Sequence, residues 1–328
     1  MCIVNAKLAR LWSFALLATV LCTGRLLWAS EASEALEESV PKPNLLITQV
    51  SDSVFSAIGA TAAPSRENFG HNNNLSFIIA PDAVVVVNGG DNAVLAAALH
   101  QAIRERTDKP VRYVINENGQ GHAFLGNSYW SDLGVVIIAQ REAIEEIKAH
   151  GETSLSQMRE RMGGLVDEAR VVLPDIAVDE RYLLDLAGPP IELRRFGRAH
   201  SPGDLSVWLP EQGILIAGDI AFHERLLGIF PDSDVDAWID SFDRMASLEP
   251  VIVIPGHGRP TDMDTLRYYT QGYLQFLRAE IETILDHDGD LSDAYEIDQS
   301  AYSALDTFDE LAQKNAGRLF RQMEDKLF

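Results

Sequence analysis

The chain has very little cysteine: two residues in 328, Cys2 and Cys22, both within the first 22 positions. From residue 23 onward, disulfides, thiolate metal ligands and a cysteine nucleophile are therefore excluded. Positive charge is also scarce, with 27 Lys+Arg against 49 Asp+Glu and a net charge of −22. So acidic a chain repels phosphate backbones and anionic headgroups, which argues against a nucleic-acid partner or attachment to an anionic membrane surface. There is no internal repeat, no low-complexity tract and no second apolar run of membrane-spanning length after the N-terminal one. The balance of 46% hydrophobic and 23% charged residues is that of a globular protein, which excludes wholesale disorder and fibrous architectures.

The single long apolar run lies at the start. Lys7 and Arg10 precede Leu11–Gly24, a stretch suited to the hydrophobic region of an export signal and short for a membrane span. Small residues follow, with cleavage expected after Ala29 or Ala32. Residues 1–32 are read as a signal peptide, which implies an exported, periplasmic or secreted protein with no stable membrane insertion once the signal is removed. Lipidation at Cys22 is disfavoured by Leu21 before it. Residues 33–44, acidic and with two prolines, read as a flexible leader.

From Leu45 strands and helices alternate. Leu45–Val50, Val54–Ile58, Leu75–Ala80 and Ala83–Val87 are strands, the last two joined by a Pro81-Asp82 hairpin turn. Val84–Val87, four valines in a row, suits a strand buried on both faces. Asp91 is expected to cap a helix over Asn92–Arg106 whose stripe is Leu95, Leu99 and Ile103. Val111–Ile115 and Gly134–Ala139 follow as strands, then an exposed polar helix Arg141–Met162. A second set of strands is expected at Glu180–Leu186, Ile191–Phe196, Leu205–Leu209, Ile214–Ala217 and Val251–Ile254. Helices Val235–Ala246 and Met263–His287 belong to it, with two more over 291–328. No boundary-like linker separates the halves. The expected fold is α/β, two sheets packed together with helices outside, a four-layer α-β-β-α sandwich. It forms one domain over residues 45–288, with a helical C-terminal extension over 289–328.

Polar residues collect where strands end. Asn116-Glu117-Asn118-Gly119-Gln120-Gly121-His122 leaves one strand, and Gly197–Asp204 with His200 leaves another. Gly218-Asp219 ends a third and Pro255-Gly256-His257-Gly258 a fourth. Imidazoles and a carboxylate at neighbouring strand ends, on turns whose glycines allow close approach, are suited to a divalent ion such as zinc. His71, in the polar loop before the hairpin, and His223, four residues after Asp219, could add a ligand or a general acid. Arg198 could orient an anionic group of a substrate. Glu117 is read as a solvated residue, a general base only if it turns inward.

Taken together, five segments between about residues 70 and 280 resemble the metallo-β-lactamase-fold hydrolases, in order. They are Asn74–Gly90, Pro110–Asn127 with its closing Leu-Gly-Asn, Ala199–Asp204, Ala217–Asp219 and Ile254–Gly258. The likeness extends to the exported single-domain members that include the quinoprotein-relay and sulfur-oxidation-associated hydrolases. The resemblance implies the four-layer fold, metal-dependent hydrolysis and a metal site on His122, His200, Asp219 and His257.

The chain departs from the family pattern in its central motif. Anchored on Gly126-Asn127, the positions that carry His, His, Asp and His in the family are Asn118, Gln120, His122 and Ala123 here. Asn88 stands where an Asp is usual. On the family template Asp219 and His257 serve the second metal position, His122 replaces its Asp, and His200 belongs to the first. The reading is an atypical single-ion site holding one divalent metal, zinc by the family, with Asp219 and His223 in catalytic roles. His71, Asn118, Gln120 and Arg198 would contact a small ester, thioester or amide. The alternative is a metal-free pseudoenzyme of the same fold that binds a ligand or partner. Oligomeric state is not legible.

Overall fold

A computed structural model of the chain describes residues 43–166 and 168–327. The expected signal peptide and most of the expected leader lie outside the described residues. From Pro43 on, the chain makes one compact unit. Among the described residues no helix is long and apolar enough to cross a membrane.

The first half runs β1 (Ile47–Gln49), β2 (Val54–Ala57), β3 (Leu75–Ile79), β4 (Val84–Val87), α1 (Ala93–Arg104) and β5 (Val111–Asn116). It continues through α2 (Gly121–Phe124), α3 (Asn127–Asp132), β6 (Val136–Gln140), α4 (Arg141–Met162) and β7 (Ile176–Val178). The second half runs β8 (Arg181–Leu183), β9 (Glu192–Arg194), β10 (Ser206–Leu209), β11 (Ile214–Phe222), α5 (Val235–Ala246) and β12 (Ile252–His257). Then come α6 (Met263–Leu266), α7 (Tyr273–Asp286), α8 (Leu291–Tyr295) and α9 (Phe308–Asp325).

Strands β1 to β7 form one sheet in sequence order, and the other is ordered β12-β11-β10-β9-β8. Each sheet begins in antiparallel hairpins and turns parallel where helices intervene, at β4–β5–β6–β7 and at β11–β12. The valine run shows how the layers arise. Val85 and Val87 join Ile115, Ile138, Val207, Ile216 and Ile254 between the sheets, while Val84 and Val86 face Leu95, Leu99 and Ile103 of α1. Side chains alternate along a strand, so four consecutive valines serve both faces. The outer face of the second sheet is covered by Trp238 and Phe242 of α5, Tyr273 and Leu277 of α7, and Leu319 and Phe320 of α9. The result is the four-layer α-β-β-α sandwich, with C-terminal helices built into its outer layer.

Several expectations change in detail. Helix α1 is capped by Asn92, whose side chain accepts from Leu95 N at 2.9 Å, and not by Asp91. Asp91 is thereby free to take both its oxygens to Arg161 Nη2, each at 2.7 Å. Helix α4 is less exposed than its polar composition suggests, since Ile144, Ile147, Leu155 and Met158 bury one face. The expected helix Met263–His287 is broken by a π-helical turn at Arg267–Gly272, which places Thr270 Oγ1 to exchange hydrogen bonds with both backbone groups of Phe222. The strand expected at Ile214–Ala217 continues to Phe222, and the one at Val251–Ile254 continues to His257.

Candidate metal centre

The two strand extensions matter because they carry site residues. In β11 the pairing with β12 slips on both sides of Gly218, which sits at φ +65°. A bulge of this kind bends a strand and re-aims a side chain, and here Asp219 is turned into the cleft between the sheet ends. Position 218 must lack a side chain for a second reason: a Cβ there would collide with Glu117 Oε2. Gly256 plays the same part opposite Asp219 Oδ1. His200 is held by the turn after it, where Ser201 N and Ser201 Oγ each donate to Asp204 at 2.8 Å.

Three imidazoles converge on Asp219. His122 Nε2 lies 3.3 Å from Oδ2, His200 Nε2 3.6 Å from Oδ2, and His257 Nε2 3.4 Å from Oδ1. His122 comes from the single turn of α2 and also lies 3.2 Å from Glu117 Oε1. Glu117 corrects the expectation of a solvated residue. It is 1% exposed, takes 2.7 Å from Asn88 Nδ2 to Oε1, and leaves Oε2 without a hydrogen-bond partner among the described residues. Its inward turn follows from Asn88, whose Oδ1 also accepts from Glu117 N at 3.2 Å. Sequence reasoning missed it because the residue after a strand can face either way, and the only signals were Asn88 and the glycine at 218. Glu117, His122 and Asp219 offer ligand atoms all within 4.8 Å of one another.

The protonation of His257 tests whether a cation fits. Its Nδ1 lies 2.5 Å from the Asn72 carbonyl, which can only accept, so Nδ1 carries the proton. Burial above all, then the charges of Arg225, His122 and His200, hold His257 well below its ordinary pKa. Nε2 is therefore a lone pair, and it faces Asp219 Oδ1, a buried carboxylate oxygen that has no hydrogen-bond partner among the described residues. Two acceptors at that separation need a cation or a proton between them. The donor set of imidazole and carboxylate suits a divalent ion, so the residues fit one.

The remaining electrostatics sort the histidines. Burial pushes His200 down to about 4, despite Asp219; its ring packs among Phe222, Phe230 and Trp238 with centroids 5.1 to 5.3 Å away. Burial also opposes charge on His122, yet Asp219, Glu117 and Asp91 outweigh it and raise its pKa. Asp219 is raised, first by burial and then by Glu117.

The other candidates are dispersed. Asn118 is buried with Oδ1 accepting from Gln120 N at 3.0 Å, which turns Nδ2 toward Asp219 Oδ2 at 3.3 Å; it orients Asp219. Gln120 lines the cleft, a cavity of about 330 Å³ bordered also by Arg161, Arg225, Phe230, Glu310 and Leu311. His71 faces the Ala57 carbonyl at 3.3 Å, and its neighbour Asn72 lines the cleft instead. His223 Nε2 lies 2.5 Å from the Arg259 carbonyl and borders a different surface cavity. Arg198 lies outside the cleft, 3.8 Å from Glu142.

Comparison with known proteins places this geometry. The model of the metallo-beta-lactamase superfamily matches residues 70–257, more than half of the chain. A metallo-beta-lactamase type 2 of Bacteroides fragilis is 22% identical over 242 residues, covering 72% of this chain and 88% of the relative. Among solved structures, a metallo-beta-lactamase from Pontibacter korlensis superposes with a TM-score of 0.58 at 18% identity, covering 71% of this chain and 99% of its own. The DIM-1 metallo-beta-lactamase exposed to ceftazidime gives 0.57 at 20% identity, covering 72% and 99%.

Proposed function

The chain belongs to the metallo-beta-lactamase superfamily, and from that premise we propose that it is a metal-dependent hydrolase with a single-ion site. The observation that carries the reading is the bare Nε2 of His257 facing Oδ1 of Asp219, which has no hydrogen-bond partner among the described residues. His122, Asp219 and His257 would hold one divalent ion, zinc by the family, with His200 beside it. Such an ion supplies Lewis acidity toward a carbonyl or ester oxygen and lowers the pKa of water toward about 7.

The protein's own groups would prepare that chemistry. The Asn72 carbonyl fixes the tautomer of His257, as ligand histidines generally require. Asn118 fixes the carboxylate of Asp219. Phe222, Phe230 and Leu311 give the cleft an apolar wall, and Gln120 would offer a hydrogen bond to substrate. The substrate class is a small ester, thioester or amide. Asn118 and Gln120, at positions where the family carries histidines, leave the first metal position too poor in ligands for a two-ion site.

We also propose export, with residues 1–32 removed; the intact mass of protein recovered outside the cytoplasm tests this. For the hydrolase, metal content by elemental analysis is read beside hydrolysis of an ester, thioester and lactam panel. One ion per chain with turnover abolished by chelation and restored by zinc is expected. No ion at micromolar excess and no turnover would sink the reading in favour of a metal-free binding protein, for which Asn118 turned onto Asp219 is the favouring observation.

A further inference from the structure

We propose that Glu117 is itself a metal ligand, so that the ion is held by Glu117, His122 and Asp219 with His257. The proposal rests on the single-ion reading above.

Three departures from the family motif, His122, Asn88 and Asn118, form one local arrangement around Glu117. His122 stands at a position where the motif has Asp, and Glu117 brings a carboxylate back beside it, 3.2 Å from Nε2. Carboxylate and imidazole have in effect exchanged places along this loop. Asn88, where an Asp is usual, makes the exchange tolerable. An Asp there would set two carboxylates face to face, whereas Asn88 donates to Glu117 Oε1 at 2.7 Å and accepts from Glu117 N at 3.2 Å. Asn118, at a family histidine position, turns its amide nitrogen to Asp219 Oδ2 while its oxygen accepts from Gln120 N.

The charge pattern requires more than these contacts. Glu117 and Asp219 are each 1% exposed, and among the described residues their ion-pair contacts are with histidines only. Each keeps one buried oxygen, Oε2 and Oδ1, with no hydrogen-bond partner among the described residues. Two such carboxylates converging on one imidazole edge are costly to bury without a cation. A structural ion pair of His122 with Glu117 Oε1 and Asp219 Oδ2 would still leave the other oxygen of each carboxylate, Oε2 and Oδ1, buried with no hydrogen-bond partner among the described residues.

The test is metal binding to the full chain, followed by zinc titration calorimetry and by manganese electron paramagnetic resonance, in wild type, Glu117→Gln and Glu117→Asp. Wild type should bind one ion, and Glu117→Gln should weaken binding by at least about a hundredfold. Apo Glu117→Gln keeps an amide oxygen to accept from Asn88 Nδ2 and should still fold, yet lose the metal-induced rise in Tm. Glu117→Asp keeps the carboxylate one methylene shorter and should bind at intermediate strength; it decides the matter if the Gln variant does not fold. One ion bound with equal affinity in wild type and both variants overturns the role of Glu117 and leaves the hydrolase reading standing. No ion in wild type overturns both.

Discussion

Asn315 of α9 holds Ile229, which lies between the cleft-lining Gly228 and Phe230: its Oδ1 accepts from Ile229 N at 2.8 Å, and its Nδ2 donates to Leu227 O at the same distance. The side chain is fully buried and also meets Tyr273 Oη, which donates to Gln299. The C-terminal helices thus fix the segment between Arg225 and Phe230, and the same helix adds Glu310 and Leu311 to the cleft. Asn315→Ala leaves two buried backbone groups unpaired, which should cost about 2–4 kcal/mol. Urea unfolding measures it; a loss under 0.5 kcal/mol, taken as roughly the level of an ordinary surface change, would show that the segment is held by packing alone.

Two histidines on neighbouring elements, His257 and His223, give a contrast within one experiment. His257→Ala removes the lone pair facing Asp219 and should abolish metal binding. His223→Ala should leave it within about twofold, because His223 is turned to the Arg259 carbonyl. Equal losses in the two variants would mean that the second histidine reaches the ion after all.

Gly218→Ala forces a Cβ into the Glu117 carboxylate and a side chain onto φ +65°. The strain alone is about 1–3 kcal/mol, and the collision adds to it. The variant should therefore lose both stability and metal, as read by thermal melting with and without zinc. A stable Gly218→Ala variant with unchanged metal affinity would mean that Glu117 does not occupy that space in solution.

These residues also show what the sequence could and could not tell. The layers were legible because periodicity is set by burial: the valine run and the Leu95, Leu99, Ile103 stripe each lie where their spacing puts them. His122, His200, Asp219 and His257 could be grouped because each reads as lying beyond an expected strand end and carries metal-ligating chemistry; the three rings do approach Asp219, although Asp219 and His257 lie within β11 and β12. Glu117 was not legible, since its direction depends on Asn88, 29 residues earlier, and on an absent Cβ at position 218. The helix break at Arg267–Gly272 was equally hidden, because the apolar stripe runs through it and what accompanies it is tertiary, the pair of hydrogen bonds that Thr270 Oγ1 accepts from Phe222 N and donates to Phe222 O. The extra length of β11 was masked by Gly218-Asp219, which reads as a strand end and acts as a bulge.

Metal binding should weaken in acid. An ion must displace any proton on His122, whose pKa is raised above its ordinary 6.5 although burial alone would lower it. The affinity for zinc should therefore begin to fall above pH 6.5 as the pH is lowered, earlier than for an ordinary histidine site. Calorimetry between pH 6 and 8.5 reads this. A flat profile across that range would show that metal binding displaces no proton from His122.

Stability in the absence of metal should carry a separate pH signature from Glu146. This residue of α4 packs against Gly119, at the base of the loop that bears Asn118 and Gln120. Burial first, then Asp232, raises its pKa from 4.5 to about 7, and Oε2 has no hydrogen-bond partner among the described residues. A carboxyl with a raised folded pKa binds more protons folded than unfolded, so stability falls as pH rises from 4.5 to about 7 and is level above that. Discounted for its partial solvation, the loss is on the order of 2 kcal/mol. Glu146→Gln should flatten that slope and make the apo-protein more stable than wild type at pH 8 by a similar amount. The Gln side chain keeps the shape and cannot ionise, so the comparison isolates the charge. Parallel stability curves for the two proteins from pH 4.5 to 8 would mean that Glu146 is hydrated and ionises normally. In that case the Gly119 loop would be looser than its packing against α4 implies.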